Sequence, residues 1–178
     1  MTLLRTCRAL SLIFALLLTT AALAADAPKP GTGLAFGSFD VSDSEVGVTH
    51  VVLMRIKPTK MYMGSSGERE TVTFENGEFY SANLSPGMYA VNGFFSGNVF
   101  FALEKSLRMN TFQVEPGRAT YAGSYKLSVT KGRGLFGRDK GSFARADSPA
   151  EERRLLQWLG QEASGWASAI QARQAEMK

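Results

Sequence analysis

The chain carries one histidine, one cysteine and seven methionines, so few side chains can act as nucleophile or soft-metal ligand. His50 stands in V-T-H-V-V-L-M-R-I among Val48, Val52 and Met54. Catalytic triads and most zinc sites need a histidine with partners at defined geometry, and no second histidine exists to share a site. His50 therefore reads as a strand residue. Met61 and Met63, in M-Y-M, would share one face of a strand, the arrangement a two-thioether Cu(I) site needs, with Met54, Met88 and Met109 as further candidates. Methionine is also a common gap-filler in cores, and no Met-rich repeat accompanies the pair. No metal or cofactor is expected.

A carboxylate pair for glycoside hydrolysis would have to come from Asp40, Asp43, Glu45, Glu68, Glu70, Glu75, Glu78 or Glu104. That chemistry sets two carboxylates about 5 to 9.5 Å apart, whereas most of these residues fall in loops or on polar strand faces, where acidic side chains are solvated. No catalytic residue is assigned, and the chain is not expected to be an enzyme. The surface stretch singled out is Lys131 to Gly141, K-G-R-G-L-F-G-R-D-K-G. Lys131, Arg133, Arg138 and Lys140 outnumber Asp139, and Leu135 and Phe136 sit between glycines at its centre. An apolar pair ringed by cations suits an anionic lipid surface or an acidic partner. The alternative places Leu135 and Phe136 under the sheet and leaves the cations solvated. The stretch is not a phosphate loop, because it lacks G-x-x-x-x-G-K-[ST] and no helix follows it.

The elements that would hold these residues begin after an export signal. Arg5 and Arg8 precede an apolar run, Ala9 to Leu18, and Ala22-Leu23-Ala24 supplies small residues for cleavage. Residues 1–24 read as a secretory signal peptide; the alternative is an uncleaved anchor. Cys7 lies before the apolar run, so it is not a lipoprotein cysteine and leaves with the peptide. Loss of 24 residues from 178 leaves 154 without cysteine, and loss of Arg5 and Arg8 takes the net charge from +4 to +2. Such a balance gives no electrostatic case for nucleic acid, and export argues against it. No other apolar run is long enough to span a bilayer as a helix.

Residues 25–31 form a Pro-rich linker. Residues 32–147 then alternate strand signals with turn signals. Gly33–Val41 is apolar and Gly-rich, Ser42–Glu45 is a polar loop, and Val48–Ile56 is apolar on both faces, the mark of a central strand. Glu70–Phe74 is expected to pair with Glu78–Ala82 across Asn76-Gly77, a turn dipeptide that tolerates positive φ. Ser85-Pro86-Gly87-Met88 suits a type II turn that folds the sheet back a second time. Tyr89–Phe95 and Asn98–Leu103 read as a hairpin, and Glu115-Pro116-Gly117-Arg118 joins Thr111–Glu115 to Ala119–Val129. In the last of these, Tyr121, Tyr125, Leu127 and Val129 alternate with polar residues, so they are expected on the core face. About eight strands with frequent turns predict a sandwich. Over 148–178, Ser148-Pro149-Ala150-Glu151 is a capping box, and Leu155, Leu159, Ala163, Trp166 and Ile170 make one helical stripe. The stripe predicts an amphipathic helix docked on the sandwich, with docking on a partner as the alternative; Ser164-Gly165 is a place for it to kink or end.

The segment G-E-F-Y-S-A-N-L-S-P-G-M-Y-A-V, Gly77 to Val91, resembles the signature of carboxypeptidase regulatory-like domains, which are small transthyretin-like β-sandwiches. Gly77, Phe79, Leu84, Pro86, Gly87, Tyr89 and Val91 stand where that pattern asks. Phe112 to Tyr125, F-Q-V-E-P-G-R-A-T-Y-A-G-S-Y, is similar to the closing part of bacterial exported proteins with such a sandwich. The resemblance implies a mainly β, transthyretin-like antiparallel sandwich with one C-terminal amphipathic α-helix. It also implies a non-catalytic binding, adhesive or scaffolding module of the cell envelope, facing an envelope protein, a glycan or an anionic lipid surface in the periplasm or outside the cell. A subunit joined through the helix stripe or a sheet edge, and a periplasmic enzyme or Met-based copper carrier, are the alternatives.

Overall fold

In the computed structural model, residues 27–57, 69–103, 110–130 and 140–177 are described. They form nine strands, β1 (Gly33–Asp40), β2 (His50–Lys57), β3 (Arg69–Glu75), β4 (Glu78–Leu84), β5 (Gly87–Ser96), β6 (Val99–Ala102), β7 (Thr111–Val114), β8 (Ala119–Thr130) and β9 (Lys140–Arg145). Two helices follow, α1 (Pro149–Glu162) and α2 (Ala167–Glu176), separated by a 3-10 turn at Ser164–Trp166. Met61, Met63, Met109, Glu68 and Glu104, like residues 1–24, lie outside the described residues.

The strands make a mainly β sandwich of two sheets. One runs β9-β8-β1-β4, and the other runs β3-β2-β5, with β6 and β7 sharing the far edge of β5. β2 lies between β3 and β5, as its two apolar faces require. Every pairing is antiparallel except β1 with β8, a parallel pair inside a sandwich expected to be antiparallel. The chain between those two strands runs through β2 to β7, and such a long connection is what a parallel pair needs.

The turns at Asn76-Gly77 and Pro86-Gly87 behave differently. Asn76 and Gly77 adopt φ of 51° and 93°, as a two-residue hairpin demands. Yet β3 and β4 pair only at Phe74 with Phe79 and at Glu75 with Glu78. From Thr73 back to Arg69, β3 pairs with β2 in the other sheet. The expected full hairpin is thus two pairs long, and β3 crosses the corner between the sheets. Pro86-Gly87 does not fold one sheet back either, because β4 and β5 belong to different sheets. The chain changes sheet here, and Gly87 packs so close to β2 that a Cβ would meet the Lys57 carbonyl at 2.4 Å.

Phe39 is the hub of the core between the sheets. Its ring centroid lies 5.0 Å from that of Tyr125, and 6.0 Å from each of those of Phe79 and Phe94. Tyr121, expected on this face, is instead on the opposite one, against Phe36 at 5.6 Å. The β1–β8 register slips here: Phe36 faces Tyr121 while Gly37 faces Gly123, which leaves Ala122 as an extra residue in the core. A one-residue bulge turns the preceding side chain to the other side.

That other side is covered by the helices. Leu34, Phe36 and Ala119 meet Leu155, Leu156, Leu159, Ala163, Trp166 and Ile170 in a second apolar cluster. The stripe faces its own sheet, with Trp166 1% exposed. It is carried by two helices rather than one. Ser148 caps α1 by accepting from the Glu151 N–H at 3.1 Å, but the Glu151 carboxylate does not return to the cap. α1 ends at Glu162, with Ala163 leaving helical geometry; the 3-10 turn then buries Trp166, and Ile170 of α2 comes back onto the same cluster. Among the described residues no helix is long and apolar enough to cross a membrane.

Candidate functional site

The corner crossing of β3 creates a wedge. β3 and β4 leave the Asn76-Gly77 turn together and then part toward separate sheets, opening a cleft of about 590 Å3. Glu70, Thr71 and Val72 line it from β3; Glu78, Tyr80, Ser81, Ala82 and Asn83 from β4; Trp158 and Glu162 from α1. Glu75 and Asn76 close the turn end, and Lys29 stands at the other. Lys29 is positioned by Asn83, which adopts φ of 62° and accepts from the Lys29 backbone N–H at 2.6 Å and from Thr32 Oγ1 at 3.0 Å. The Tyr80 and Trp158 rings, both half-buried, meet edge to face at 5.9 Å.

Glu78 sits at the inner end of the cleft, 7% exposed. Arg154 of α1 donates to its Oε1 and grips Glu151 through Nε and NH2 at 2.9 and 2.8 Å. This guanidinium keeps Glu151 below its ordinary carboxylate value, and its own pKa is raised chiefly by the same hydrogen bonding. Glu70, Glu75 and Glu162 are exposed and engage no cation among the described residues.

On the other side of Arg154 a second, more open cleft of about 880 Å3 lies at the end of the sandwich. Its floor holds a chain of hydroxyls. Ser38 Oγ lies 2.7 Å from Ser124 Oγ and 3.1 Å from Glu151 Oε1, and Tyr121 Oη lies 2.6 Å from Ser124 Oγ. A carboxylate only accepts, so the Ser38 hydrogen goes to Glu151, that of Ser124 to Ser38, and that of Tyr121 to Ser124. Burial raises the Tyr121 phenol well above its usual value, which keeps that hydrogen in place. Tyr125, behind it, is pushed up to about 12 by the same cause. Ser38 beside a carboxylate has the look of an activated nucleophile, but Glu151 is held charged by Arg154 and so is a poor base. The arrangement ties helix to sheet. Glu78 and Glu151 do converge, but on a guanidinium that stands between them, not on open space for a substrate.

His50 is exposed at the start of β2, opposite Thr73 and Phe95. No three of His, Cys, Asp and Glu gather as a metal would need among the described residues. Hydrogen bonding from Ser42, first from its hydroxyl and then from its N–H at 3.0 Å, lowers the Asp40 pKa, and Asp43 pairs with Lys126 at 2.7 Å. Met54 and Met88 are half-buried. Of the surface stretch, Lys131, Arg133, Leu135, Phe136 and Arg138 lie outside the described residues, and Lys140 is described only as the backbone opposite Thr130. β5 and β8 start level with one another, with Val114 beside Gly33, and their far halves meet where the Phe94 and Phe143 rings lie 6.0 Å apart. The β5–β6 turn thus lies at the same end as Thr130 and Lys140, and it exposes Val99 and Phe100, by 58% and 36%.

The sequence offered Glu70, Glu75 and Glu78 only as candidates for a hydrolytic carboxylate pair, and Trp158, Glu162 and Lys29 were not singled out. Trp158 lies three residues after Leu155, on the margin of the stripe, and that position was the available signal. No protein-family model, curated protein or solved structure matches the chain.

Proposed function

We propose that the chain is an exported, non-catalytic binding module of the cell envelope, and that the cleft between β3, β4 and α1 is where it holds its partner. The observation that carries this is the contrast in the carboxylates. Asp43, Asp147, Glu78, Glu151 and Glu152 are each met by a cation of the protein, whereas those of Glu70, Glu75 and Glu162 line a cleft beside two half-buried rings. Convergent polar groups around aromatic walls are the common form of a binding site. The carboxypeptidase regulatory-like, transthyretin-like reading is supported by the motif residues, since Phe79, Leu84, Tyr89 and Val91 all enter the core. Export rests on residues 1–24, and the site of action is then the periplasm or the outside of the cell. Because Trp166 and Ile170 are buried by their own sheet, a partner would have to use the cleft or a sheet edge, not the stripe.

The test uses the two tryptophans as reporters. Solubilised envelope fractions are titrated into the 15N-labelled mature chain while the two indole N–H resonances are followed. A saturable shift of the Trp158 resonance with Trp166 unmoved supports the reading; shifts confined to other regions oppose it. A second reading, attachment to an anionic lipid surface through Lys131, Arg133, Leu135, Phe136, Arg138 and Lys140, is favoured by the exposed Val99 and Phe100 at that end. It predicts salt-sensitive co-sedimentation with anionic vesicles that is lost when Leu135 and Phe136 become Ser.

A further inference from the structure

We propose that the cleft between β3, β4 and α1 recognises a cationic side chain, an ammonium or guanidinium, presented by a basic peptide or a polyamine. The inference rests on the reading of this cleft as the binding site and names what it takes. Three observations carry it. First, Glu70, Glu75 and Glu162 line one cavity of about 590 Å3 in which Lys29 is the one cation among the described lining residues, while Glu78 at its inner end is already answered by Arg154. The lining is therefore net negative by two charges once that pair is set aside, and an anionic ligand would be repelled. Second, the Tyr80 and Trp158 rings border the same space, and a cation over the face of a tryptophan or tyrosine is attracted by the ring quadrupole. Third, Glu78, more than nine-tenths buried, lines the same cleft and meets Arg154 through Oε1, and a carboxylate can accept from more than one donor. Carboxylates around an aromatic wall match an aliphatic ammonium or a guanidinium on both counts, charge and ring contact. The cavity has the size of an ordinary small-ligand site.

The probes are a capped trilysine peptide, its Nε-acetylated counterpart, spermidine, and a neutral N-acetylglucosamine oligomer. Each is titrated into the mature chain by calorimetry and by the indole N–H resonances. Trilysine is expected to shift the Trp158 resonance saturably, and to bind more weakly as salt rises from about 20 to about 300 mM. Glu70→Gln/Glu162→Gln should lower its affinity about tenfold while leaving the fold intact, since both side chains are exposed and engage no cation among the described residues. Spermidine binding as trilysine does assigns recognition to the ammonium alone; trilysine binding much more tightly assigns part of it to the peptide main chain. Equal binding of the acetylated peptide overturns the proposal. So does a Trp158 resonance that ignores trilysine and spermidine. In that case a shift with the sugar oligomer keeps the cleft as a binding site for a neutral ligand, and no shift with any envelope component removes the cleft as well.

Discussion

Arg154 is the residue whose loss reveals how the helix layer is held. Arg154→Met keeps the length and helical propensity of the side chain but removes the cation from Glu78 and Glu151. Glu78, 7% exposed, would then be a buried carboxylate without a counter-ion. Breaking a fully buried pair costs about 3 to 5 kcal/mol. The Arg154 side chain is 50% exposed, so water screens part of this, and about 2 kcal/mol is the expected share. The contact with Glu151, one turn away on the same helix, adds about 0.3 kcal/mol. For a chain of this size the sum lowers Tm by about 5 to 8 °C. Urea unfolding followed by circular dichroism measures it, with an unchanged m-value showing that the folded state is intact. Changing both residues, Arg154→Met with Glu78→Met, should recover most of the loss, because no orphaned charge remains. An Arg154→Met variant as stable as the wild type, or a double variant no better than the single, refutes the reasoning.

Two other outcomes follow from the packing. A Cβ at Gly37 would meet the Gly123 carbonyl at 2.4 Å and the Phe79 ring at 2.6 Å, so Gly37→Ala should cost about 2 to 3 kcal/mol by urea unfolding, while Gly160→Ala, where nothing lies within 4 Å, should be neutral or stabilising. Tyr125, with its folded pKa pushed up to about 12 from an ordinary 10.0, contributes stability that is complete below pH 10 and is lost as pH rises toward 12; Tyr125→Phe should flatten that alkaline loss, read from unfolding curves between pH 9 and 12.

Much of the fold was legible because its signals are local. β2 is a β-branched run with two apolar faces, and it lies in the middle of a sheet. Ser148 and Pro149 mark the start of α1 through a cap that involves only neighbouring residues. Pairing partners are not local, and there the reading failed. A strand's sequence says which residues share a face, but not that Arg69–Thr73 would leave β4 for β2 while Phe74 and Glu75 stayed. Nor does alternation reveal a bulge: Ala122 inserts into the β1–β8 register, and Tyr121 turns from the core to the helix layer. The candidate site depends on both effects. Its carboxylates are visible in the sequence as scattered acidic residues, yet the wedge that gathers them exists only because β3 changes sheets and α1 brings Trp158 and Glu162 across from the far end of the chain.

The most direct test of the central claim, that this cleft holds the partner of an exported binding module, is site-specific photo-crosslinking in the living cell. A photoreactive residue replaces Glu162 at the cleft in one strain and exposed Thr111 on β7 in another. The account predicts a discrete, light-dependent adduct at position 162 that diminishes when Glu70→Gln is added, and none at position 111. Adducts at 111 alone, or equal adducts at both positions that ignore Glu70→Gln, would contradict it.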